Sequence, residues 1–468
     1  MSDYNNELHS KRSHWWRIIF IILGAIALLI VLSFMPLEKW SGGRIKDFNL
    51  FGDILNIEIP EESDMPGAFV DPCLTEAIED VKDNREIDTA TVADGEKPLI
   101  AIQPNREAEN IIIEDYTEEG RGLKNLRMAL GADRLARIAV IGDSYIEGDI
   151  LTQDLREMLQ RAHGGKGVGY MNMYSEFPGF RRSVRQGGGS GWKEYAANNS
   201  HDSKYMGLAQ HYYRLSNATS STYKGVTALA NVDNWNRSQF LFISPSDASI
   251  DITACGEKTT HNVKGSSDVQ CITVDGNTDN FEVSTSSGSV IGLGVWLSDT
   301  TGVNVDCMSS RGFSGVTLTK VSRELTAGMS KYIDYDLIIL EFGINAMSAK
   351  QKNFDSYGKQ MCKVVEHVRQ CYPNADILLM GIGDRGAKRG SEVHSMSSAP
   401  YMVSAQREAA RKSRCLFWDT REAMGGEDAI VRWTRDGLAN TDYVHLNHKG
   451  GRKLAESLFN AIELNLNK

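Results

Sequence analysis

The chain has 468 residues, too many for one ordinary hydrophobic core, and its apolar fraction of 41% excludes disorder throughout. Its net charge of −10, with no basic cluster, argues against a nucleic-acid binder. Seven cysteines without a CxxC pair, and histidines away from zinc-site spacings, argue against a structural metal, and no cofactor is expected.

In chain order, the first element is an uncharged run at 18–35 within "WWRIIFIILGAIALLIVLSFMPLEKW". At about 1.5 Å per residue it reaches roughly 27 Å, close to the ~30 Å hydrocarbon core of a bilayer. Trp15, Trp16 and Trp40 bracket it as interfacial anchors do. A cleavable signal peptide is the rival, but the apolar core is long and the flank lacks an A-x-A site. The expectation is a cytoplasmic tail at 1–17, a transmembrane helix at 18–35 and an acidic, turn-rich stalk at 36–104. Everything after the span then lies outside the cytoplasm.

Residues 105–168 begin an α/β unit. A helical pattern covers 105–130, and "RIAVI" reads as a buried strand that breaks into Gly-Asp-Ser at Ser144. The following "DILTQDLREMLQRAHGG" reads as a helix stopped by Gly164-Gly165. Residues 169–302 have another texture, rich in Ser, Thr, Gly and Asn. Short β-like runs ("QFLFI", "SIDIT", "QCITV", "NFEVS") alternate there with turn signals, as in an inserted all-β module. Cys255 and Cys271, both within it, could pair in an oxidising compartment. From 303 to 468 helix–strand alternation returns, with buried strands in "YDLIILEFG" and "ADILLMGIG" and a closing helix at 451–466. Such strands imply a parallel sheet covered on both faces, with its site at their carboxyl ends.

Four stretches carry chemistry. Ser144 stands where a strand gives way to a helix, so its N–H would face developing negative charge. In "NTDYVHLNHKGG", Asp442 and His445 are three residues apart. That spacing lets the carboxylate take the Nδ1 proton and leaves Nε2 to accept the serine proton. His448 is the local competitor but has no carboxylate three residues before it. The Asn345 amide in "FGIN" and the Gly312 N–H in "SSRGFSG" are candidate oxyanion donors together with the Ser144 N–H.

In this order, Ser144 in GDS, Gly312, Asn345 in GIN and Asp442 with His445 in DYVH resemble the SGNH (GDSL-type) hydrolase superfamily. Tyr145 departs from the usual leucine after the serine, and Gly315 is a near neighbour of Gly312. The resemblance implies a flavodoxin-like three-layer sandwich with a parallel sheet, interrupted by the β module, and serine esterase chemistry. The architecture is similar to membrane-anchored enzymes that remove O-acetyl groups from peptidoglycan or other polysaccharides. It implies a periplasmic domain on the bacterial inner membrane and an acetylated glycan as partner, with the β insert beside the active site. An O-acyltransferase, an inactive glycan-binding scaffold and, more weakly, a lipase or thioesterase are the alternatives. Aromatic residues crowd the start of the insert: Tyr170, Tyr174, Phe177, Phe180, Trp192 and Tyr195. Tyr170 and Trp192 are the candidates for stacking on sugar rings, against the alternative that they are core.

Overall fold

The computed structural model describes residues 111–285 and 288–467. The expected tail, membrane span and stalk lie outside them. No helix among the described residues is long and apolar enough to cross a membrane.

The strand before Ser144, Leu135–Gly142, is buried along its whole length because it lies inside a sheet covered on both faces. It pairs in parallel with Gly302–Ser309 on one side and Leu337–Glu341 on the other. Asp376–Met380 and Leu416–Trp418 extend the sheet in parallel, and the short Glu114–Asp115 closes that edge antiparallel. Taking the five parallel strands by chain position, the spatial order is 2-1-3-4-5, the flavodoxin-like order. The chain leaves the first strand in one direction and the later ones in the other. Right-handed crossovers then put the helices on opposite faces. Thr152–His163 packs with the final helix His448–Leu466, and Asp355–Cys371 packs with Ala399–Lys412. This is a flavodoxin-like three-layer α/β sandwich.

Two sequence expectations are corrected here. Within 111–130 only Lys124–Leu130 is α-helical, because Asp115 accepts bonds from Thr117 and from the Gly122 N–H and holds the chain in a turn. The helix after the nucleophile begins at Thr152, behind a short 3-10 turn at Glu147–Asp149. Ser144 therefore does not sit at a helix N-terminus, and that source of anion stabilisation falls away.

The strands from Gly169 to Ser298 form two antiparallel sheets apart from the parallel one. The first runs Glu257–Val263, Ala248–Ala254, Asn280–Thr285, Thr219–Lys224 and Arg185–Gly188. The second runs Ser266–Thr278, Trp235–Ser244, Ile291–Ser298, His211–Leu215 and Trp192–Ala196, with Gly169–Met171 added on Ile291–Ser298. The alternating burial of Ala248–Ala254 and Asn280–Thr285 is the period-2 signature of a sheet with one buried face. A separate apolar cluster that includes Trp235, Phe240, Phe242 and Phe281 fills the space between the sheets.

The module is fixed to the parallel sheet through polar groups as well as apolar ones. Buried Asp306 accepts from Trp296 Nε1 and Tyr335 Oη at 2.8 Å each, and from the Tyr170 N–H at 3.1 Å. Tyr170 and Trp192, aromatic candidates for sugar stacking, are only 1% and 3% exposed. Tyr170 bonds His211 through its hydroxyl, and Trp192 Nε1 donates to Ser221. They are core residues with satisfied polar tips, unavailable to a ligand. Cys255 and Cys271 are both free thiols.

Candidate active site

The flavodoxin-like strand order creates a crevice where the order reverses, between the strands ending at Gly142 and Glu341. Ser144 follows the first of these strands, and Gly343 to Asn345 follow the second. The third segment comes from the far end of the chain. Asn447 caps the last helix by accepting from the Lys449 and Gly450 N–H groups. Gly451, on the first turn of that helix, lies so close to Ile150 that a Cβ there would sit 2.0 Å from its carbonyl oxygen. This contact between the helix start and the segment after Ser144 brings the 442–445 turn over the serine.

Within that turn, one Asp442 oxygen accepts from the Val444 N–H at 2.9 Å and the His445 N–H at 3.0 Å. The other oxygen faces His445 Nδ1 at 2.8 Å. His445 Nε2 is 3.0 Å from Ser144 Oγ. Burial works against ionisation of Asp442. The bonds from the His445 ring and from the two backbone N–H groups outweigh it and hold the carboxyl below the usual carboxylate range. All three side chains are part-exposed, so a substrate can reach them. His448 is outside this chain of bonds. It opens the final helix, and its Nδ1 is buried without a partner. A carboxylate–imidazole–hydroxyl line of this kind can transfer a proton from the serine and return it to a leaving group.

The backbone N–H groups of Ser144 and Gly312 donate to no acceptor among the described residues. Gly312 has φ +81° and open space where a Cβ would be, so nothing there obstructs a substrate. The Asn345 amide is differently placed. Its Nδ2 donates to Asp143 Oδ2 at 2.8 Å and to the Phe313 carbonyl at 3.0 Å, so both hydrogens are engaged.

Three groups at the site were not singled out from sequence. Asp143 is wholly buried and also accepts from the Tyr145 N–H at 2.9 Å. Burial pushes its carboxyl up to about 7, against the opposing effects of that N–H, the nearby His445 and Asn345. Glu341 ends the neighbouring strand. Its carboxyl, raised well above the usual range by burial and by Asp143, has no full hydrogen bond. Arg385 donates to the Ile344 carbonyl beside Asn345, and burial lowers its guanidinium against the pull of Asp442 and Asp143. The sequence signal was a charged residue ending an apolar strand, in "LEFG", and the Asp of GDS itself. Tyr145, the departure from leucine, is buried. Its ring fills the space above Gly383, and its hydroxyl meets Met424 Sδ at 3.3 Å.

The GDSL-like lipase/acylhydrolase family matches residues 275–453. With Ser144, His445 and Asp442 in line, the matched residues 275–453 carry the signature of SGNH-type acyl hydrolases. The matched span holds Gly312, Asn345, Asp442 and His445. Ser144 lies before it, separated by the β module and returned to the other residues only by the fold. The solved structure of a peptidoglycan O-acetylesterase in action superposes on this chain with a TM-score of 0.63 and 24% identity, over 76% of this chain and 99% of that one. That likeness establishes the fold. A family two carbohydrate esterase from Cellvibrio japonicus matches at 11% identity over 60% of this chain and 98% of that chain, with a TM-score of 0.26. No curated protein sequence matches the chain.

Proposed function

We propose that this esterase removes O-acetyl groups from a cell-envelope carbohydrate, with peptidoglycan as the first substrate to test. The observation that carries the reading is the continuous line from Asp442 through His445 to Ser144 Oγ at the switch point of the sheet. Ser144 is the nucleophile, His445 the general base and then acid, and Asp442 the group that fixes the imidazole tautomer. The Ser144 oxygen attacks the ester carbonyl carbon while His445 Nε2 takes its proton. The tetrahedral oxyanion is met by the Ser144 and Gly312 N–H groups. Asn345 joins them by giving up one of its two present bonds. His445 then protonates the departing sugar hydroxyl, and water attacks the acetyl-serine by the same route in reverse.

A short acyl group on a sugar is supported by the resemblance in sequence motifs and by a fold likeness to a peptidoglycan O-acetylesterase. Residues 18–35 serve as the membrane anchor in this reading, with the hydrolase domain in the periplasm of a bacterial cell. Protease added to spheroplasts should then degrade the domain.

The test is acetate release from O-acetylated peptidoglycan and other acetylated polymers, beside a chain-length series of p-nitrophenyl esters. Activity should fall steeply beyond propionate. Each CH₂ buried in an apolar tunnel is worth roughly 0.8 kcal/mol, so a rate rising through octanoate would turn the reading toward a lipid. Transfer of acetyl to an added glycan in place of water would identify an acyltransferase. Failure of Ser144 to react with a fluorophosphonate would identify an inactive scaffold.

A further inference from the structure

Of the aromatic residues that open the insert, two remain exposed. Phe177 is 69% and Phe180 44% exposed, among the few large apolar side chains left in solvent. Both line a cleft between the hydrolase sheet and the start of the module. Its other walls include Glu147, Asn172, Gln186 and Ser309. The cleft adjoins the serine by two routes. Ser309 ends the strand beside the nucleophile strand, opposite Gly142 in the register. Glu147 is one turn beyond Ser144, its N–H bonded to the Ser144 carbonyl at 3.3 Å.

The aromatic pair is held in place. Gly148 lies flat under the Phe180 ring, where a Cβ would come within 2.6 Å of it. The next residue, Arg181, donates to the Tyr170 and Val168 carbonyls at 2.7 Å each and pairs with Asp149 at 3.3 Å. Ser183 donates to the same carboxylate at 2.6 Å. Asp149 is wholly buried and also carries a bidentate pair with Arg156. The loop with the two rings is therefore pinned to a residue five positions after Ser144, so the rings are set before any ligand arrives. At the mouth, Arg311 pairs with Glu147 at 2.8 Å and ties the nucleophile turn to the Gly312 loop.

We propose that Phe177 and Phe180 form a subsite for a pyranose ring of the glycan chain, next to the ring whose ester reacts at Ser144. The proposal rests on the carbohydrate reading above. A pyranose has an apolar C–H face and a rim of hydroxyls. The cleft offers exposed aromatic rings and a rim of carboxylate, guanidinium and amide groups. An acyl tail would need continuous apolar walls, which the polar rim interrupts. The enzyme accordingly acts on a polymer, with affinity gained outside the reacting ester.

The experiment compares Phe177→Ala/Phe180→Ala with the wild type on p-nitrophenyl acetate and on O-acetylated peptidoglycan. The expected result is unchanged kcat/KM on the small ester and a KM for the polymer raised on the order of ten-fold, the scale for losing an aromatic anchor. Phe177→Tyr/Phe180→Tyr should keep the wild-type polymer KM. Unchanged polymer kinetics in the alanine variant would overturn the subsite while leaving the esterase reading intact. Equal losses on both substrates would overturn it too, by making the rings supports of the serine. A wild-type enzyme that cleaves the small ester but releases no acetate from any glycan would overturn the carbohydrate reading and the subsite with it.

Discussion

Replacing Asp442 by asparagine separates the two jobs of this side chain. In the wild type, Oδ1 accepts from the Val444 and His445 backbone N–H groups, while Oδ2 faces His445 Nδ1. An asparagine can keep only one orientation without pointing its NH₂ at two N–H donors. Its oxygen must take the Oδ1 place, and its NH₂ must face Nδ1. That forces Nδ1 to accept, puts the ring proton on Nε2 and removes the base that Ser144 requires. The expected loss in kcat is roughly 10⁴-fold, the scale seen when the orienting carboxylate of a serine triad is made an amide; at 1.36 kcal/mol per decade this is about 5.5 kcal/mol. Because the two backbone bonds survive, thermal stability should stay near wild type. Asp442→Ala instead loses both backbone bonds, each worth about 1 kcal/mol, and should melt lower. Initial rates on p-nitrophenyl acetate and melting curves on the same samples test both parts. An Asp442→Asn enzyme within ten-fold of wild type would refute the tautomer argument.

Ser144→Ala and His445→Ala should abolish turnover while circular dichroism stays unchanged, since both side chains are part-exposed and only one bond links them; wild-type rates from Ser144→Ala would remove the nucleophile assignment. Asn345→Ala should cost on the order of 10²–10³ in kcat, the usual loss for one oxyanion donor, and a change under five-fold would leave the amide as a tether between Asp143 and Phe313. Asp143 has its carboxyl pushed up to about 7 by burial, above the unfolded value near 4. The folded wild type thus binds the extra proton and loses stability as pH rises from about 4 to about 7. Asp143→Asn lacks that loss, so its melting temperature relative to wild type should climb across this window, and a constant difference would contradict the buried carboxyl. Trp192→Ala should destabilise by about 3–5 kcal/mol, as for other buried aromatics, with KM unchanged for the protein that remains folded; a KM effect at full stability would restore Trp192 as a ligand contact.

The sequence by itself determined the local chemistry. The apolar run ending in Gly-Asp-Ser required a buried strand that stops at a turn, and Asp442 with His445 could meet because three residues of one turn bring them together. The helix–strand alternation after 303 likewise followed from continuous apolar runs, which only a doubly covered sheet can bury. What required the tertiary structure were contacts between segments far apart in the chain. The Asp143–Asn345 bond joins two strand ends across the switch point, and no local pattern shows that the amide is already engaged. Periodicity also misplaced the start of the helix after Ser144, because Gly148 and Asp149 adopt positive φ and break it. Among the aromatics of the insert, composition could not separate core from surface. Trp192 disappears between the sheets, whereas Phe177 and Phe180 remain in solvent. Their neighbours Arg181 and Ser183 are tied to a buried aspartate five positions after the serine. Burial depends on which surfaces face each other once the sheets have packed, and a linear sequence carries the apolar groups without carrying that arrangement.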